Sequence, residues 1–265
     1  CTRPNMRMRR KVFAPSLSMF KLYYKRIPSI IKERSPLQSR FMELPHIAII
    51  PDGNRRWARR EGLPAIAGHK AGAEKLQEVC SWARERGIRH LTFYGLSTEN
   101  WNRTEEEVGY LMRLVEEKLL EWSKTAKKEP VRIKFIGERG RFSENIQKQF
   151  AAIERETEAH DSFTLVLALS YGGRAEIISA IKSLAAEELT KLTEETFGDH
   201  LWTAGIPDPD LVLRTGGFKR LSNFLLWQSA YSELYFTPTL WPDLTREELD
   251  KAVNFFLETK RKFGR

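Results

Sequence analysis

The sequence has few cysteines and no long apolar run, and each shortage excludes a class of protein. Its two cysteines, Cys1 and Cys80, are too few for a disulfide framework, so a reducing compartment is the simple expectation. No run of about 18 apolar residues occurs, so the sequence predicts no membrane-spanning helix. The P-loop pattern GxxxxGK(S/T) and the dinucleotide pattern GxGxxG are both absent, which excludes these two nucleotide-binding motifs.

The body of the chain also lacks net charge, although the whole sequence carries +9. The chain has 44 basic and 35 acidic residues, and residues 1–45 hold 11 of the basic and 2 of the acidic ones. The remainder therefore holds 33 residues of each sign. The excess therefore lies in an N-terminal arm, which we place at residues 1–43, ahead of a single domain at 44–265. A neutral body argues against nucleic-acid binding despite the high pI.

The arm alternates apolar and basic side chains between Lys21 and Arg34. This pattern suits a basic amphipathic helix that lies on an anionic membrane surface. It equally suits a segment that packs against its own body or frays, because a charge run is usually a solvated face. We expect a cytoplasmic protein, with peripheral membrane contact through the arm as one of these alternatives.

Short apolar runs alternate with helical patterns through the body of the chain. β-rich runs begin at Ile47, Arg89, Val131, Phe163 and Leu211, and another short apolar element occupies residues 223–228. Strands joined by helices make parallel βαβ units. The sequence therefore predicts a single α/β domain with a mostly parallel sheet of about six strands flanked by helices.

The stretch HIAIIPDGNRRWARREGLPAIAGHKAG at 46–72 joins a buried strand to a tight turn and a basic helix start. Proline fixes φ, glycine permits positive φ, and Asp52 and Asn54 can bond their own backbone, so a turn is expected at 51–54. Free N–H groups and the positive helix end can hold phosphate there, with Asp52 as a candidate Mg²⁺ ligand. The alternative is an ordinary turn followed by a solvated basic face with one buried aromatic.

Four later motifs follow this stretch in order, and together the five carry a resemblance. They are STENWNR at 97–103, SYGGR at 170–174, DLVLRTGG at 210–217, and RLSNF at 220–224, which runs on to Glu233. The set resembles the cis-prenyltransferase family, whose best-known member is undecaprenyl diphosphate synthase, over about residues 44–262. No paired-aspartate DDxxD motif is present, which excludes a trans-type prenyl synthase.

The resemblance implies an enzyme that condenses an allylic prenyl diphosphate with isopentenyl diphosphate and releases diphosphate. The implied product is a cis-polyprenyl diphosphate, the implied cofactor is Mg²⁺, and the implied assembly is a homodimer. Diphosphate charge calls for Mg²⁺ and Arg or N–H donors, and a long apolar product calls for a dry cavity. We therefore expect a hydrophobic tunnel along the helix that carries Leu111 and Val115, although an ordinary core helix would have the same pattern.

The resemblance also implies roles for individual residues. Asp52 would handle Mg²⁺ and the donor diphosphate, and Glu233 would add a second metal ligand across the homodimer interface. Asn100 would accept the proton, although a departing diphosphate oxygen is a better base than a neutral amide. His69 has a structural alternative as well. The implied substrate contacts are Gly53, Asn54, Arg55, Arg56, Trp57, His69, Ser97, Thr98, Glu99, Trp101, Arg103, Arg214, Arg220, Leu221 and Ser222.

Three positions depart from the family pattern. Ala65 stands where an arginine is usual, Phe218 where a glutamate is usual, and Lys219 where a histidine is often found. Losing one charged contact commonly costs ~1.5–3 kcal/mol, which activity can survive while substrate choice changes. Two alternatives follow from these changes and from the resemblance. One is a variant with another acceptor, a non-standard coupling or a short product, and the other is a non-catalytic partner subunit.

Overall fold

The computed structural model describes residues 44–126 and 129–259, and it builds them around one sheet. The sheet order is β3-β4-β2-β1-β5-β6, and all five pairings are parallel. The arm, with its proposed amphipathic helix, lies outside the described residues. The strands are β1 (His46–Ile50), β2 (His90–Tyr94), β3 (Arg132–Ile136), β4 (Thr164–Ala168), β5 (Leu211–Arg214) and β6 (Glu233–Phe236).

Helices flank this sheet, which confirms the predicted fold class. Within the described residues, short 3₁₀ helices also occur at Thr98–Asn102, Arg139–Arg141 and Trp241–Asp243. Among the described residues, no helix combines the length and the apolar character needed to cross a bilayer. The α-helices are α1 (Asn54–Arg60), α2 (Ala65–Glu85), α3 (Glu105–Ala126), α4 (Glu144–Thr157), α5 (Gly173–Ser183), α6 (Ala186–Leu189), α7 (Glu194–Gly198) and α8 (Arg246–Glu258).

The apolar element at 223–228 is a loop, and the sixth strand is β6. Ser222, Asn223 and Leu225 have φ values of 52°, 64° and 42°, which lie in the left-handed region. A strand needs strongly negative φ, so this segment cannot join the sheet. It forms a loop instead, in which Phe224 and Leu225 are buried and pack against one face of the sheet.

Both faces of the sheet are covered, which explains why its strands are continuous apolar runs. All residues of β1 and of β4 are buried. On one face, Ile47 and Ile49 belong to a large apolar cluster that includes Leu76 of α2. On the other face, Ala48 and Ile50 pack in a smaller cluster with Phe224.

The path of the chain across the sheet reverses beside β1. The chain leaves β1 for β2 on one side and returns later to β5 on the other. The helices after β1 and the loop after β5 cover opposite faces, as Leu76 and Phe224 illustrate. A crevice therefore opens between the carboxyl ends of β1 and β5, where such sheets collect their ligands.

Candidate active site

Asp52 lies in this crevice, two residues past the end of β1. Its Oδ1 accepts a hydrogen bond from Arg56 Nη2 at 3.0 Å, and its Oδ2 accepts one from Arg214 Nη2 at 2.8 Å. Its backbone N–H donates to Thr215 Oγ1 at 2.9 Å, and the Thr215 hydroxyl donates to the Asp52 carbonyl at 2.8 Å. These bonds join the ends of β1 and β5 and fix the carboxylate, whose side chain is 26% exposed.

Two glycines allow the two chain segments to approach each other here. Gly53 has a φ of 118° and Gly216 a φ of 80°, which side-chain-bearing residues rarely adopt. A Cβ on Gly216 would overlap the Arg56 guanidinium and press on the Asp52 carbonyl. In its place, Arg56 Nη1 donates to the Gly216 carbonyl at 2.7 Å. The glycine therefore makes room for the arginine that contacts Asp52.

Three arginines converge on the ring of Phe218. The guanidinium carbons of Arg56, Arg214 and Arg220 lie 5.0, 5.8 and 4.3 Å from its centroid. A ring attracts these cations without neutralising them. Three guanidiniums and the Asp52 carboxylate leave this cluster with a net charge of +2. Guanidiniums recognise phosphate oxygens well, so the cluster suits a diphosphate.

Arg214 is held from a second side by the loop that follows β5. Its Nη1 donates to Ser222 Oγ at 2.6 Å and also to the Arg220 carbonyl. Ser222 and the next residue, Asn223, are both left-handed, a strained arrangement that is typical of functional loops. The Arg214 side chain is only 4% exposed, so its orientation is set before any ligand binds.

A second polar group surrounds Glu107 on α3. Arg103 Nη1 lies 2.6 Å and Arg55 Nη1 3.9 Å from its carboxylate. Partial burial acts to raise the pKa of Glu107, but Arg103 and Arg55 outweigh it and hold that pKa below its ordinary value. His69 Nε2 lies 3.5 Å from Glu107 Oε1, too far and too poorly aligned for a hydrogen bond. Burial, aided by Arg103, lowers the pKa of His69 and favours a neutral imidazole.

A cavity of about 440 Å³ extends from these polar groups along the apolar side of α3. Its inner wall includes Leu111, Leu114 and Val115 from α3 and Phe93 from β2. A polar mouth with an apolar interior fits a ligand that has a charged head and an apolar chain. The structure shows a cavity of limited volume, and the longer hydrophobic tunnel expected from the sequence stays a prediction.

The cavity brings together ten of the predicted site residues. Arg220 and Ser222 join them through Phe218 and Arg214. Asn100 caps its own 3₁₀ helix, because its Oδ1 accepts a hydrogen bond from the Ser97 N–H at 3.0 Å, and its role as proton acceptor stays a prediction. The ten that line the cavity are Asp52, Gly53, Asn54, Arg55, Arg56, His69, Ser97, Asn100, Arg103 and Arg214.

Trp57 and Trp101 donate their indole N–H groups to other parts of the chain, and their substrate contacts stay a prediction. Trp57 Nε1 donates to Asp243 Oδ1 at 2.9 Å, which ties α1 to the 3₁₀ helix before α8. Trp101 Nε1 donates to Ser170 Oγ at 2.9 Å. Neither indole belongs to the cavity wall. In this arrangement both residues brace the segments that carry the site.

Three more predicted contacts lie beside the cavity wall rather than in it. The Thr98 N–H donates to the Tyr171 carbonyl at 2.9 Å. Glu99 Oε1 accepts a hydrogen bond from Asn223 Nδ2 at 2.9 Å. Leu221 packs against the smaller apolar cluster on the far face of the sheet. Glu99 therefore connects the loop after β2 with the loop after β5, and Thr98 connects it with the segment after β4.

Glu233 lies at the opposite edge of the sheet from Asp52. It begins β6 in register with Leu211, whereas Arg214, at the other end of β5, is in register with Phe236. Three strand residues, or roughly 10 Å, separate these two levels. Glu233 therefore cannot share an ion with Asp52 inside one chain. Its role as a metal ligand stays a prediction about a second copy.

The donor set at Asp52 fits Mg²⁺ only together with a phosphate ligand. Among residues 44–126 and 129–259, no group of three or more His, Cys, Asp or Glu side chains could hold a metal ion. Mg²⁺ is often bound through one or two carboxylates, with substrate phosphates and water as the other ligands. Asp52 offers one such carboxylate, partly exposed in the cavity.

Two charged residues at the cavity are not identified from the sequence: Glu107, which contacts the lining residues Arg103 and Arg55, and Lys118. Glu107 is recognisable there only as the partner of Thr104 in a capping box, and its N–H does lie 3.4 Å from Thr104 Oγ1. The sequence signal for its place at the site is Arg103, which stands one helical turn earlier and can form an ion pair with it. Lys118 itself lines the cavity, and its signal in the sequence is a charge within the apolar stripe of α3.

The fold and the site together define a class of protein. A cationic cluster beside a fixed aspartate stands at the carboxyl edge of a parallel sheet, and an apolar cavity opens from it. The arrangement suits a ligand with a diphosphate head and an apolar chain. A sequence model of the family described as "Putative undecaprenyl diphosphate synthase" matches residues 50–264.

Relatives over nearly the whole domain place the chain in the same family. The isoprenyl transferase of Thermotoga maritima is 44% identical over 228 residues, covering 84% of this chain and 98% of that protein. The isoprenyl transferase of Aquifex aeolicus is 47% identical over 225 residues, covering 84% and 97%. The chain belongs to the cis-prenyltransferase family, and its predicted identity as a prenyltransferase is confirmed.

Solved structures agree with this assignment. Lavandulyl diphosphate synthase from Lavandula x intermedia, in complex with dimethylallyl diphosphate, matches with a TM-score of 0.79 and 35% identity, over 83% of this chain and 98% of that chain. A probable undecaprenyl diphosphate synthase from Campylobacter jejuni matches with a TM-score of 0.71 and 34% identity, over 84% and 100%.

Proposed function

We propose that this chain transfers an allylic prenyl group to isopentenyl diphosphate, releasing diphosphate and forming a cis-polyprenyl diphosphate. The observation that carries this proposal is the Asp52–Arg214 pair, fixed at the mouth of an apolar cavity. Negative charge grows on the leaving diphosphate as its C–O bond breaks, and Arg56 and Arg214 are positioned to stabilise that charge. The apolar cavity receives the prenyl chain.

Arg220 and Ser222 supply the acceptor's diphosphate site in this proposal. Both contact the donor cluster, Arg220 through the Phe218 ring and Ser222 through Arg214. Two substrates held on one connected set of arginines would meet in a fixed relative orientation, which removes much of the entropy cost of a two-substrate reaction. The proton lost from the acceptor passes to Asn100 or to an oxygen of the departing diphosphate.

Mg²⁺ is the proposed cofactor, with Asp52 as its protein ligand. When bound, it would neutralise part of the charge on the leaving diphosphate. Arg214 orients the Asp52 carboxylate for this contact, because its guanidinium is buried and anchored on the loop after β5. Glu233 of a second copy in a homodimer is the proposed additional ligand.

The main experiment is turnover by the purified chain with radiolabelled isopentenyl diphosphate, several allylic primers and Mg²⁺, followed by product sizing. We expect labelled polyprenyl diphosphates whose formation stops when the metal is chelated. Absence of product with every primer would overturn the proposal and favour the non-catalytic partner subunit.

A second test concerns location, for which we propose a cytoplasmic protein with peripheral membrane contact through residues 1–43. The chain from residue 44 onward should keep its turnover but lose binding to anionic vesicles. Equal vesicle binding by the two forms would remove the arm from this role.

An altered acceptor or coupling is the second candidate function, and Phe218 favours it. Its ring leaves the three surrounding guanidiniums without the counter-charge that a glutamate would bring. We expect Phe218→Glu combined with Ala65→Arg to change the product spectrum or the Michaelis constants, and Phe218→Leu serves as the uncharged control. Unchanged products and constants in the double variant would count against this candidate.

A further inference from the structure

Lys118 places a charge in the apolar part of the cavity. It lines the cavity from α3, and its side chain is only 7% exposed. Two charged lining residues at the mouth, Arg55 and Arg103, contact Glu107, which lies eleven residues earlier on the same helix. At 1.5 Å per residue, Lys118 is about 16 Å from that level. Its ammonium therefore takes no part in the phosphate cluster.

The ammonium of Lys118 is anchored by a carboxylate one turn further along the same helix. Its Nζ lies 2.7 Å from Glu121 Oε2, and the same carboxylate oxygen accepts a longer hydrogen bond from Gln77 Nε2 of α2, at 3.4 Å. The Lys118 side chain is 7% exposed against 39% for Glu121, so the ammonium is shielded from water within its ion pair while the methylene stem lies in the wall. Lysine commonly lies on apolar surface in this way.

Room remains beyond Lys118 along the same helix. Trp122, one turn further on, also lines the cavity. An apolar chain that grows along α3 therefore meets Lys118 before it meets the end of the cavity. To pass, it must push aside the stem and separate the ammonium from Glu121 or cover it, and burying a charge that has lost its partner is costly.

We propose that Lys118 is a specificity-determining residue that limits the length of the prenyl chain admitted to the cavity. The residue acts through its stem, which fills space, and through its ammonium, which cannot be covered by hydrocarbon. As a statement about product length, this inference rests on the proposed function. As a statement about binding, it does not.

The product test compares Lys118→Met and Lys118→Ala with Lys124→Met, a matched control at an exposed position of the same helix. Methionine keeps a similar volume without the charge, and alanine removes both. We expect both Lys118 variants to make products longer by at least one isoprene unit. The control should match the unaltered chain. Unchanged product length in Lys118 variants that turn over would overturn the inference.

The binding test needs no turnover. Straight-chain alkyl diphosphates of increasing length are titrated calorimetrically into the chain and into Lys118→Met. Each methylene that gains burial should tighten binding roughly fourfold, and the gain should stop at a defined length. We expect the plateau to move to longer chains in the variant, whereas an unmoved plateau would overturn the inference. Failure of the proposed function would appear separately, as absent turnover with a shifted plateau.

Discussion

Replacing Asp52 by asparagine is the most direct test of the site. The change keeps the shape of the side chain but removes the charge that pairs with Arg56 and Arg214. Arg214 is then left with Ser222 and the Arg220 carbonyl as partners, in a nearly buried position. Leaving a charged group short of a partner costs about 1–3 kcal/mol, and the exposed Arg56 contact adds little. We therefore expect a melting temperature lower by a few degrees.

The effect on turnover should be far larger than the effect on stability. Removal of one preorganised electrostatic contact to a developing charge commonly lowers kcat by ~10²–10³, and Asp52 is also the only protein ligand proposed for Mg²⁺ within one chain. Affinity for an allylic diphosphate without Mg²⁺ should stay equal or rise, because the cluster gains positive charge. Loss of turnover with retained binding would distinguish a catalytic defect from unfolding.

Asp250→Asn is the matched control for this experiment. Asp250 forms an ion pair with Arg86 far from the cavity, and its side chain is 23% exposed, against 26% for Asp52. The assay is steady-state incorporation of labelled isopentenyl diphosphate, with thermal unfolding of both variants in parallel. Turnover by Asp52→Asn within threefold of the unaltered chain would refute the reasoning. So would an equal loss in Asp250→Asn.

Further predictions concern one other site residue and one buried histidine. Arg214→Lys should raise the Michaelis constant for the diphosphate substrates by roughly 10–100-fold, because lysine cannot contact Asp52 and the Ser222 loop together. Arg86→Lys is the control, and equal Michaelis constants in the two variants would contradict the prediction. Burial lowers the pKa of His46 from 6.5 to about 4, and its ring is bonded in neutral form, with Nδ1 donating to a backbone carbonyl at 2.7 Å and Nε2 accepting from a threonine hydroxyl at 2.8 Å. A histidine whose pKa is lowered in the folded state contributes stability that is complete above pH 6.5 and is lost as the pH falls toward 4. The free energy of unfolding, measured in urea, should therefore fall by ~3 kcal/mol across this window, and it should fall by less in His46→Gln. An equal pH dependence of the unfolding free energy in the unaltered chain and in His46→Gln would contradict this prediction.

The position of Asp52 could be predicted from local pattern alone. A strand of four apolar residues, a Pro-Asp-Gly turn and a basic helix start determine where the carboxylate lies relative to the sheet. The parallel topology then brings the ends of other strands to the same edge, among them the strands that precede Asn100 and end at Arg214. Asn100 and Arg214 both line the same cavity as Asp52.

The last strand and the hydrogen-bond partners of the tryptophans could not be predicted in this way. β6 is a four-residue strand at the edge of the sheet and is only partly buried. Because it is not covered on both faces, its sequence ELYF lacks the apolar run of a central strand. The more apolar loop at 223–228 is excluded from the sheet only by positive φ, which the sequence does not reveal. Trp57 and Trp101 belong to site motifs, yet the direction of an indole depends on partners distant in sequence, here Asp243 and Ser170.

The contacts of Asp52 also bear on how the proposed ligands would influence one another. Its two oxygens are occupied by Arg56 and Arg214, the same guanidiniums proposed to hold the donor diphosphate. A diphosphate that draws on these guanidiniums weakens their hold on the carboxylate, which then becomes a better ligand for a cation. A cation on Asp52 in turn releases the guanidiniums for phosphate. Because such coupling is reciprocal, each ligand should bind more tightly in the presence of the other, and the ion pairs around Asp52 are the physical link between them.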